Sequence, residues 1–158
     1  MSRLIKDFNL KFKTKELLIY ESKYWIWSLR PNQVTLGTGL LSLKRECADF
    51  SGLIQEEFCD LKNIIQVIER TLMITFNYNI LNYLMLMMVD KQVHYHVIPR
   101  YESDIDFGGI LWKDSAWPAV PDLTGDNSSM QVLYEIQKTI KENLNAYGYT
   151  SVMREELF

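Results

Sequence analysis

Apolar residues recur at three- and four-residue spacing between positions 53 and 72, and this is the clearest periodic signal in the chain. Such spacing lines one face of an α-helix with apolar side chains. Ser51 precedes the run as a candidate N-cap, with Glu56 and Glu57 in the first turns. The pattern predicts an amphipathic helix over roughly 54–75, with its apolar face at Leu53, Phe58, Leu61, Ile64, Ile65, Ile68 and Leu72.

Strand-like segments precede this helix. Residues 17–29 are rich in Ile, Tyr and Trp and are interrupted by the polar residues 21–23, which predicts two short strands joined by a turn. Pro31 ends the second of them. Residues 36–43 contain two glycines followed by an apolar run, which is typical of a turn and a third strand.

Two further strands are predicted after the helix. The turn-forming residues 77–79 are followed by a long apolar run, Ile80–Val89, that suits a buried central strand. Residues 92–99 then alternate polar and apolar side chains with period two and end at Pro99. The second segment is therefore predicted to be a strand with one polar face.

The last third of the chain divides into a loop and a helix. Residues 101–127 hold six acidic residues and several Gly and Pro without periodicity, which predicts an ordered irregular loop. Apolar spacing then predicts a C-terminal amphipathic helix over about 128–146. This order of elements predicts an α+β fold with a mainly antiparallel sheet of about five strands. We expect one domain over residues 1–158, with its core at about 16–101.

Composition places the chain among soluble globular proteins. Apolar residues make up 47% and charged residues 23%, which excludes a disordered tail. The longest apolar run, Tyr83–Val89, has seven residues, whereas a membrane span needs about 20. The first sixteen residues lack the apolar middle region of a signal peptide, so a cytoplasmic location is expected. Cys47 and Cys59 have no metal-type spacing and are expected to be buried or half-buried free thiols.

The net charge of −3 gives no general attraction to nucleic acid, which is not an expected partner. The charge is uneven, because residues 1–50 hold nine of the 17 basic residues and only five of the 20 acidic ones. A modest basic face from this half is able to hold a small phosphate-bearing ligand; the alternative is an ordinary solvated surface.

Both histidines of the chain lie in the polar-faced strand. Because side chains alternate along a strand, Gln92, His94 and His96 share one face. The histidine Cα atoms are expected about 6.5–7 Å apart, a distance that suits contact with different oxygens of one phosphate. The alternative is a pair of histidines satisfied at the surface or across strands.

A metal site is another alternative. Two histidines on one strand face are able to bind Zn²⁺ or Fe²⁺, but a third ligand is then required. In this sequence it would be a carboxylate, Asp90 or one from the acidic loop. No spacing supports that set, so no metal ligand is assigned.

The segment from Gln92 to Arg100, Gln-Val-His-Tyr-His-Val-Ile-Pro-Arg, resembles the signature of the histidine triad superfamily, His-φ-His-φ-His-φ-φ. It is most similar to the branch whose motif continues into Ile/Leu-Pro-Arg. The order of predicted elements over residues 16–101 also fits that family. The resemblance implies a histidine triad fold and a homodimer.

Carried over residue by residue, the resemblance makes His94 the nucleophile and His96 the third histidine of the motif. Gln92 stands where the family has its first histidine. Asn82 lies near the position of a family asparagine that contacts the nucleotide. The Gly-rich stretch between that asparagine and the motif is replaced here by Tyr83–Val89.

The activity implied by the resemblance is hydrolysis or transfer at the α-phosphate of a nucleotide, through a covalent nucleotidyl-His94 intermediate. The implied substrate is a dinucleoside polyphosphate, such as diadenosine tetraphosphate, or a nucleoside phosphoramidate. His96 and Gln92 are expected to donate hydrogen bonds to the phosphate, although Gln92 cannot titrate. No cofactor is required, and Mg²⁺ accompanying the substrate is left open. The alternative is a nucleotide-binding module without turnover.

Arginines and aromatic residues complete the set of candidates. Arg30 ends the second strand and is a candidate contact for ribose or phosphate, against the alternative of a solvated arginine. Arg100 follows the family Pro-Arg and is expected to be structural. Trp112 and Trp117 are candidates for capping a substrate or a subunit partner. Four other aromatic residues are expected in the core, the alternative being that one of them stacks on a base: Trp25, Trp27, Phe50 and Phe76.

Overall fold

An antiparallel five-stranded sheet is the central element of the computed structural model, which describes residues 2–148. The predicted α+β class and the five-stranded sheet are confirmed. Residues 149–158, which the predicted domain includes, lie outside the described residues. The spatial order of the strands is β1-β2-β3-β5-β4. In chain order they are β1 (Leu18–Glu21), β2 (Trp25–Leu29), β3 (Gly39–Leu43), β4 (Ile80–Leu84) and β5 (His94–Arg100).

Within residues 2–148, three α-helices pack on the sheet: α1 (Arg3–Phe12), α2 (Gln55–Phe76) and α3 (Met130–Ala146). The last two correspond to the predicted central and C-terminal helices. They pack on each other and on the first two strands, and the main core lies between them and the sheet. Trp25 and Trp27 of β2 are fully buried in this core, as expected. No helix within residues 2–148 has the length and apolar character needed to span a membrane.

The start of α2 differs from the expected one. Ser51 is not its N-cap, because it lies in a short 3-10 helix, Phe50–Gly52, before the α-helix begins at Gln55. Glu57 stabilises this start, since its Oε2 accepts a hydrogen bond from the Ile54 backbone N–H at 3.0 Å. Its other carboxylate oxygen binds Nε of Arg45 at 2.6 Å. The buried Glu57 carboxylate therefore binds a backbone N–H at the start of the helix, the role that Ser51 was expected to have.

The helix α1 was not predicted from the sequence. Its buried residues Ile5, Phe8 and Phe12 fall at three- and four-residue spacing, so a helical signal is present in the sequence. Phe8 and Phe12 pack on Leu40 of β3, whose side chain points away from the main core. Helix α1 therefore covers the second face of the sheet.

The fourth strand is shorter than predicted. It ends at Leu84 rather than Val89, and residues 85–93 form the connection to β5. Leu84 is already paired with His96, so the residues between them must form the turn. Met88 and Val89 of this connection are 83% and 82% exposed. The strand was predicted to include them because an apolar run in the sequence does not show where pairing with a neighbouring strand ends.

The segment 101–127 contains a hairpin that the sequence analysis missed. Its strands are β6 (Ile105–Phe107) and β7 (Ile110–Trp112), joined by two glycines. Gly108 and Gly109 have φ of 62° and 73°, the left-handed conformation that two-residue hairpin turns require. The Gly-Gly pair between apolar residues was the signal for this turn. Residues 113–127 form the irregular loop that was predicted.

Some of the expected burial is wrong. Phe50 is not in the core but 44% exposed, with its ring edge-on to that of Phe58 at 5.7 Å. Phe76 is buried as expected. Cys47 is buried and Cys59 is exposed, and both are free thiols. A helix turns one side to water, and position 59 falls on that side of α2.

Candidate functional site

His94 and His96 lie side by side on β5, on the face that α1 covers. Their ring centroids are 5.0 Å apart and their planes are nearly perpendicular, at 78°. Across the sheet they pair with Ser42 and Leu40 of β3. The alternation of the strand thus brings the two imidazoles together as the sequence predicts.

Hydrogen bonding fixes the tautomer of His94. Its Nδ1 lies 2.6 Å from the backbone oxygen of Gln92. A carbonyl oxygen only accepts, so Nδ1 carries the proton and Nε2 of the neutral ring keeps its lone pair. Burial lowers the pKa of His94 below its ordinary value, which favours this neutral form. The ring therefore has the protonation state of a nucleophile at neutral pH.

The neutral form of His96 is favoured more strongly than that of His94. Burial, followed by the nearby charges of His94 and Arg30, lowers the pKa of His96 to about 4. Its Nδ1 is buried and makes no hydrogen bond to any residue in the described part of the chain. Leaving a buried polar atom unpaired costs about 1–3 kcal/mol. This nitrogen is therefore buried without a partner within residues 2–148, in a residue that lines the cavity described below.

Arg30 reaches the same place and is not a freely solvated arginine. Its Nη1 donates to the backbone oxygen of Asn32 at 3.2 Å, and its Nη2 to that of Leu123 at 3.1 Å. Its Nε is buried and has no hydrogen-bond partner among residues 2–148. The guanidinium is thus anchored through both terminal nitrogens, while its buried Nε–H has no partner in the described part of the chain.

A cavity of about 210 Å³ joins these groups. It adjoins a second cavity of about 220 Å³ that extends toward Asn32 and Asn127, and the two share Lys11, Phe12 and Arg30. Each is smaller than the roughly 300–1,000 Å³ typical of a ligand site, so a ligand larger than one small group must occupy both. The first cavity is lined by His94, His96, Arg30, Lys11, Phe12, Asp90 and residues 86–89.

The covering of the histidines by α1 is the part of the site that sequence reasoning missed. The ring centroid of Phe8 lies 5.0 Å from that of His94, and Phe12 lies 6.4 Å from His96. As a result His94 is only 1% exposed and His96 6%. The helical spacing of these phenylalanines was visible in the sequence, but not the sheet face on which they pack.

Gln92 differs from its expected role. It precedes β5, and its side-chain Nε2 donates to the backbone oxygens of Leu43 at 2.9 Å and Arg45 at 2.7 Å. Its Oε1 accepts from the backbone N–H of Cys47 at 3.1 Å. Both amide hydrogens and the carbonyl are therefore engaged with the last residue of β3 and the chain that follows it. In this conformation the Gln92 amide has no free donor for a phosphate, so its expected contact requires these hydrogen bonds to be exchanged.

Asn82 and Arg100 belong to a separate buried network. Asn82 Oδ1 accepts from Nη1 of Arg100 at 2.9 Å, and Arg100 also binds both carboxylate oxygens of Asp114, at 2.7 and 3.1 Å. Asn82 does not line the histidine cavity, so the structure does not bring this expected nucleotide contact to the histidines. Arg100 has the structural role expected of it, because it ties the 113–127 loop to the sheet.

Trp112 also lies away from the cavity. Its Nε1 donates to the backbone oxygen of Phe107 at 3.3 Å within the hairpin, and its ring packs against the main core. Trp117 is likewise absent from the cavity lining. Neither tryptophan caps the histidine cavity.

The third ligand of the alternative metal site was expected to be a carboxylate such as Asp90. Asp90 does line the histidine cavity, but its Oδ2 is bound by Nζ of Lys11 at 2.6 Å. Within residues 2–148, no three His, Cys, Asp or Glu side chains are grouped so as to hold a metal ion.

Comparison with solved structures identifies the fold. No protein-family model and no curated protein sequence matches this chain. A histidine triad protein from Sinorhizobium meliloti 1021 has a TM-score of 0.65 at 17% identity, over 83% of this chain and 93% of that one. A hypothetical histidine triad nucleotide-binding protein from Sulfolobus tokodaii strain 7 gives 0.64 at 18% identity, over 82% and 84%.

A third similar structure is a diadenosine triphosphate hydrolase from Plasmodium falciparum, in complex with cyclomarin A. Its TM-score is 0.64 at 16% identity, over 91% of this chain and 98% of that one. At identities this low, the structural similarity establishes the arrangement of the backbone. Together with the motif that ends in Pro99 and Arg100, they show that this chain has the histidine triad fold.

Proposed function

We propose that this protein binds a nucleotide and cleaves it at the α-phosphate through a covalent nucleotidyl-His94 intermediate. One observation carries the proposal. A neutral imidazole with its Nε2 lone pair free lies in a cavity beside two unpartnered nitrogens, Nδ1 of His96 and Nε of Arg30. In a bound phosphate, the phosphorus is an electrophile for Nε2 of His94, and the oxygen atoms are hydrogen-bond acceptors for Nδ1 of His96 and Nε of Arg30. The fold shared with a diadenosine triphosphate hydrolase supports the same chemistry.

The reaction consists of two displacements. Nε2 of His94 attacks the α-phosphorus, a P–N bond forms, and the P–O bond to the leaving group breaks with its electron pair on that oxygen. Water then attacks the same phosphorus and releases one proton to the solvent, the P–N bond breaks, and the electron pair returns to Nε2. The backbone oxygen of Gln92 stabilises the proton on Nδ1 throughout, because positive charge develops on the ring while it carries the nucleotide.

His96 and Arg30 stabilise the negative charge on the non-bridging oxygens. Both lie on the cavity wall before the substrate arrives, so little reorganisation is needed when the charge develops. A preorganised donor of this kind is worth about 10²–10³ in kcat. Burial of the site strengthens these interactions, since water screens them less.

The position of Gln92 favours one class of leaving group. Its amide does not titrate and is fully occupied by backbone groups, so it supplies no proton to the departing atom. A phosphate leaving group departs as a stable anion, whereas an amine requires protonation. A dinucleoside polyphosphate, such as diadenosine tetraphosphate, is therefore favoured over a nucleoside phosphoramidate.

The second candidate function is nucleotide binding without turnover. The burial of His94 under Phe8 favours it, because a helix packed on the nucleophile limits the approach of the phosphorus. Turnover of a dinucleoside polyphosphate by the purified protein distinguishes the two. Mg²⁺ is included in one arm of that assay, since the metal accompanies polyphosphates in solution.

We propose that the protein performs this function as a homodimer, and that it does so in the cytoplasm. The support for the homodimer is the fold and the edge strand β4, where Ile80 is half exposed and one side of the strand has no neighbour within the described residues. Light scattering on the purified protein measures the mass directly. A monomer at micromolar concentration would contradict the proposed assembly and leave the chemistry unaffected.

The intermediate gives the decisive test. Substrate labelled with radioactive phosphorus at the α-position should leave label on protein quenched during turnover. A phosphorus–nitrogen bond is stable to alkali and labile to acid, so the label should survive alkaline denaturation and disappear in acid. His94→Ala should show no label and no turnover. His94→Gln, which fills more of the buried space, should behave in the same way.

Stereochemistry provides an independent check. Two displacements retain configuration at a chiral α-phosphorus, whereas a single attack by water inverts it. Inversion without a trapped adduct would refute covalent catalysis. Turnover by His94→Ala at the rate of the parent would remove the nucleophile assignment.

A further inference from the structure

Lys11 joins helix α1 to the connection between β4 and β5. Its Nζ lies 2.6 Å from Oδ2 of Asp90 and 5.0 Å from the ring centroid of Phe12. It lines the cavity that contains the histidines and also the neighbouring one, where Arg30 is again present. Lys11 therefore stands at the junction of the two spaces that a nucleotide must occupy.

The charges around this junction favour an anion. Lys11 and Arg30 are the cationic residues that line the histidine cavity, and Asp90 is its one acidic lining residue in the described part of the chain. Lys11 and Arg30 both lower the pKa of His94 and of His96, which shows that their charges act on both imidazoles. Asp90 acts on the same rings in the opposite direction.

The ion pair between Lys11 and Asp90 is weak enough to be exchanged. The side chain of Lys11 is 50% exposed, and water screens an ion pair of this kind. A lysine ammonium also sits on a flexible stem with three donors, so it can turn to a new acceptor without movement of its helix. A polyphosphate brings several charged oxygens, against the one oxygen that Asp90 supplies.

We propose that Lys11 is a phosphate-binding residue of the site, held by Asp90 in the free protein and transferred to the phosphate chain of the substrate. The inference rests on the proposed function, because it assigns the contacts of phosphates beyond the α-position. Asp90 then competes with the substrate for the ammonium. The family motif contains neither residue, since one lies in α1 and the other in the connection 85–93.

The role of Asp90 makes the proposal sharply testable. If the pair only ties α1 to the connection, Lys11→Met and Asp90→Asn break the same bond and should change ligand affinity in the same direction. If Lys11 binds phosphate, Lys11→Met should weaken binding, whereas Asp90→Asn should strengthen it by releasing the ammonium and removing a repulsive charge. Misfolding weakens binding in both variants, so it cannot produce opposite signs.

The experiment is calorimetric titration with inorganic pyrophosphate in about 0.15 M salt, where exposed charges more than about 8 Å apart are largely screened. Lys6→Met is the matched control, because it removes a charge from an exposed position of the same helix, outside the histidine cavity. We expect Lys11→Met to raise the Kd about tenfold and Asp90→Asn to lower it several-fold. The control should stay within about twofold of the parent, since a distant exposed charge is largely screened.

Equal effects of Lys11→Met and Lys6→Met, with pyrophosphate bound by the parent, would overturn this inference and leave the nucleotidyl-His94 proposal intact. A parent that binds no pyrophosphate would overturn the inference and remove the support for a phosphate site. If the opposite signs are found but no labelled intermediate forms, the inference is supported and the proposed covalent turnover fails.

Discussion

The ring of Phe8 packs against the ring of His94, with 5.0 Å between the centroids and a tilt of 57°. The contact places an apolar side chain of α1 directly on the imidazole that the family motif identifies as the nucleophile. Burial is the largest cause of the lowered pKa of His94, and Phe8 supplies part of that burial. The titration of His94 therefore reports on the position of α1.

Phe8→Ala should raise the pKa of His94 toward its ordinary value of 6.5, because water enters where the ring was removed. The ring-proton shifts of the two histidines followed by NMR against pH measure this change. Leu10→Ala is the matched control, since Leu10 is on the same helix and is 77% exposed. An equal shift in both variants, or none in either, would show that α1 does not set the environment of His94.

His96→Asn should lower kcat by about 10²–10³ and still allow label to accumulate on His94, because it removes a stabilising group and not the bond-forming atom. Quenched-flow measurement of the label together with steady-state turnover checks both parts. An inactive His96→Asn beside an active His94→Ala would mean that the two roles are exchanged.

Gln92→His restores the family motif, and on the motif alone the substitution is expected to leave the protein folded and active. The hydrogen bonds predict the opposite. A histidine has two ring nitrogens, whereas Gln92 satisfies three backbone groups between residues 43 and 47. At least one buried group loses its partner, at a cost of about 1–3 kcal/mol in the free energy of unfolding.

Urea unfolding measures this loss, with Gln131→His on the exposed face of α3 as the control. Unchanged stability together with higher turnover would show that position 92 faces the substrate after all.

Stability should decrease on acidification through the pH range set by His96. Its pKa is about 4 in the folded protein and near the ordinary 6.5 when unfolded, so the unfolded chain binds a proton more readily. The free energy of unfolding is thus unaffected by His96 above about pH 6.5 and falls as the pH drops from there to about 4. His96→Asn should lose less stability between pH 7.5 and pH 5, as measured by urea unfolding. Equal losses in the two proteins would exclude this contribution.

Dialysis against a chelator should leave the binding of pyrophosphate unchanged, because the proposed site uses imidazole, guanidinium and ammonium groups. Elemental analysis of the purified protein before and after dialysis provides the control. If the purified protein contained a stoichiometric transition metal, and both His94→Ala and Asp90→Asn lost it, the result would refute the phosphate site and support the alternative metal site.

The sequence predicted those parts of the molecule in which local periodicity and packing agree. Helix α2 and strand β5 each turn one side toward the main core, so their spacing is visible without knowledge of their neighbours. Alternation indicates a face only where the strand is regular, and β5 begins at His94, so it does not determine the direction of the Gln92 side chain. The backbone groups that hold its amide lie more than 40 residues earlier in the chain.

The roles of Arg30 and Lys11 depend on contacts with distant parts of the chain, which local sequence patterns do not reveal. The sequence predicts Arg30 at the end of a strand and leaves open whether its side chain contacts solvent or a ligand. That choice depends on the loop at Leu123, which folds back to anchor the guanidinium. Lys11 belongs to the basic half of the chain, and nothing in the local sequence indicates that α1 crosses the second face of the sheet.

The buried pair of Arg100 and Asp114 has a consequence for hydrogen exchange. Both side chains are almost completely buried, at 4% and 2% exposure, and Arg100 terminates the strand that carries the histidines. Partial detachment of the loop would leave a guanidinium unpaired in the interior, which costs about 3–5 kcal/mol. The loop and β5 should therefore open together as one cooperative unit, and the amide protons near Asp114 should exchange at the slow rate of the sheet rather than at that of a surface loop.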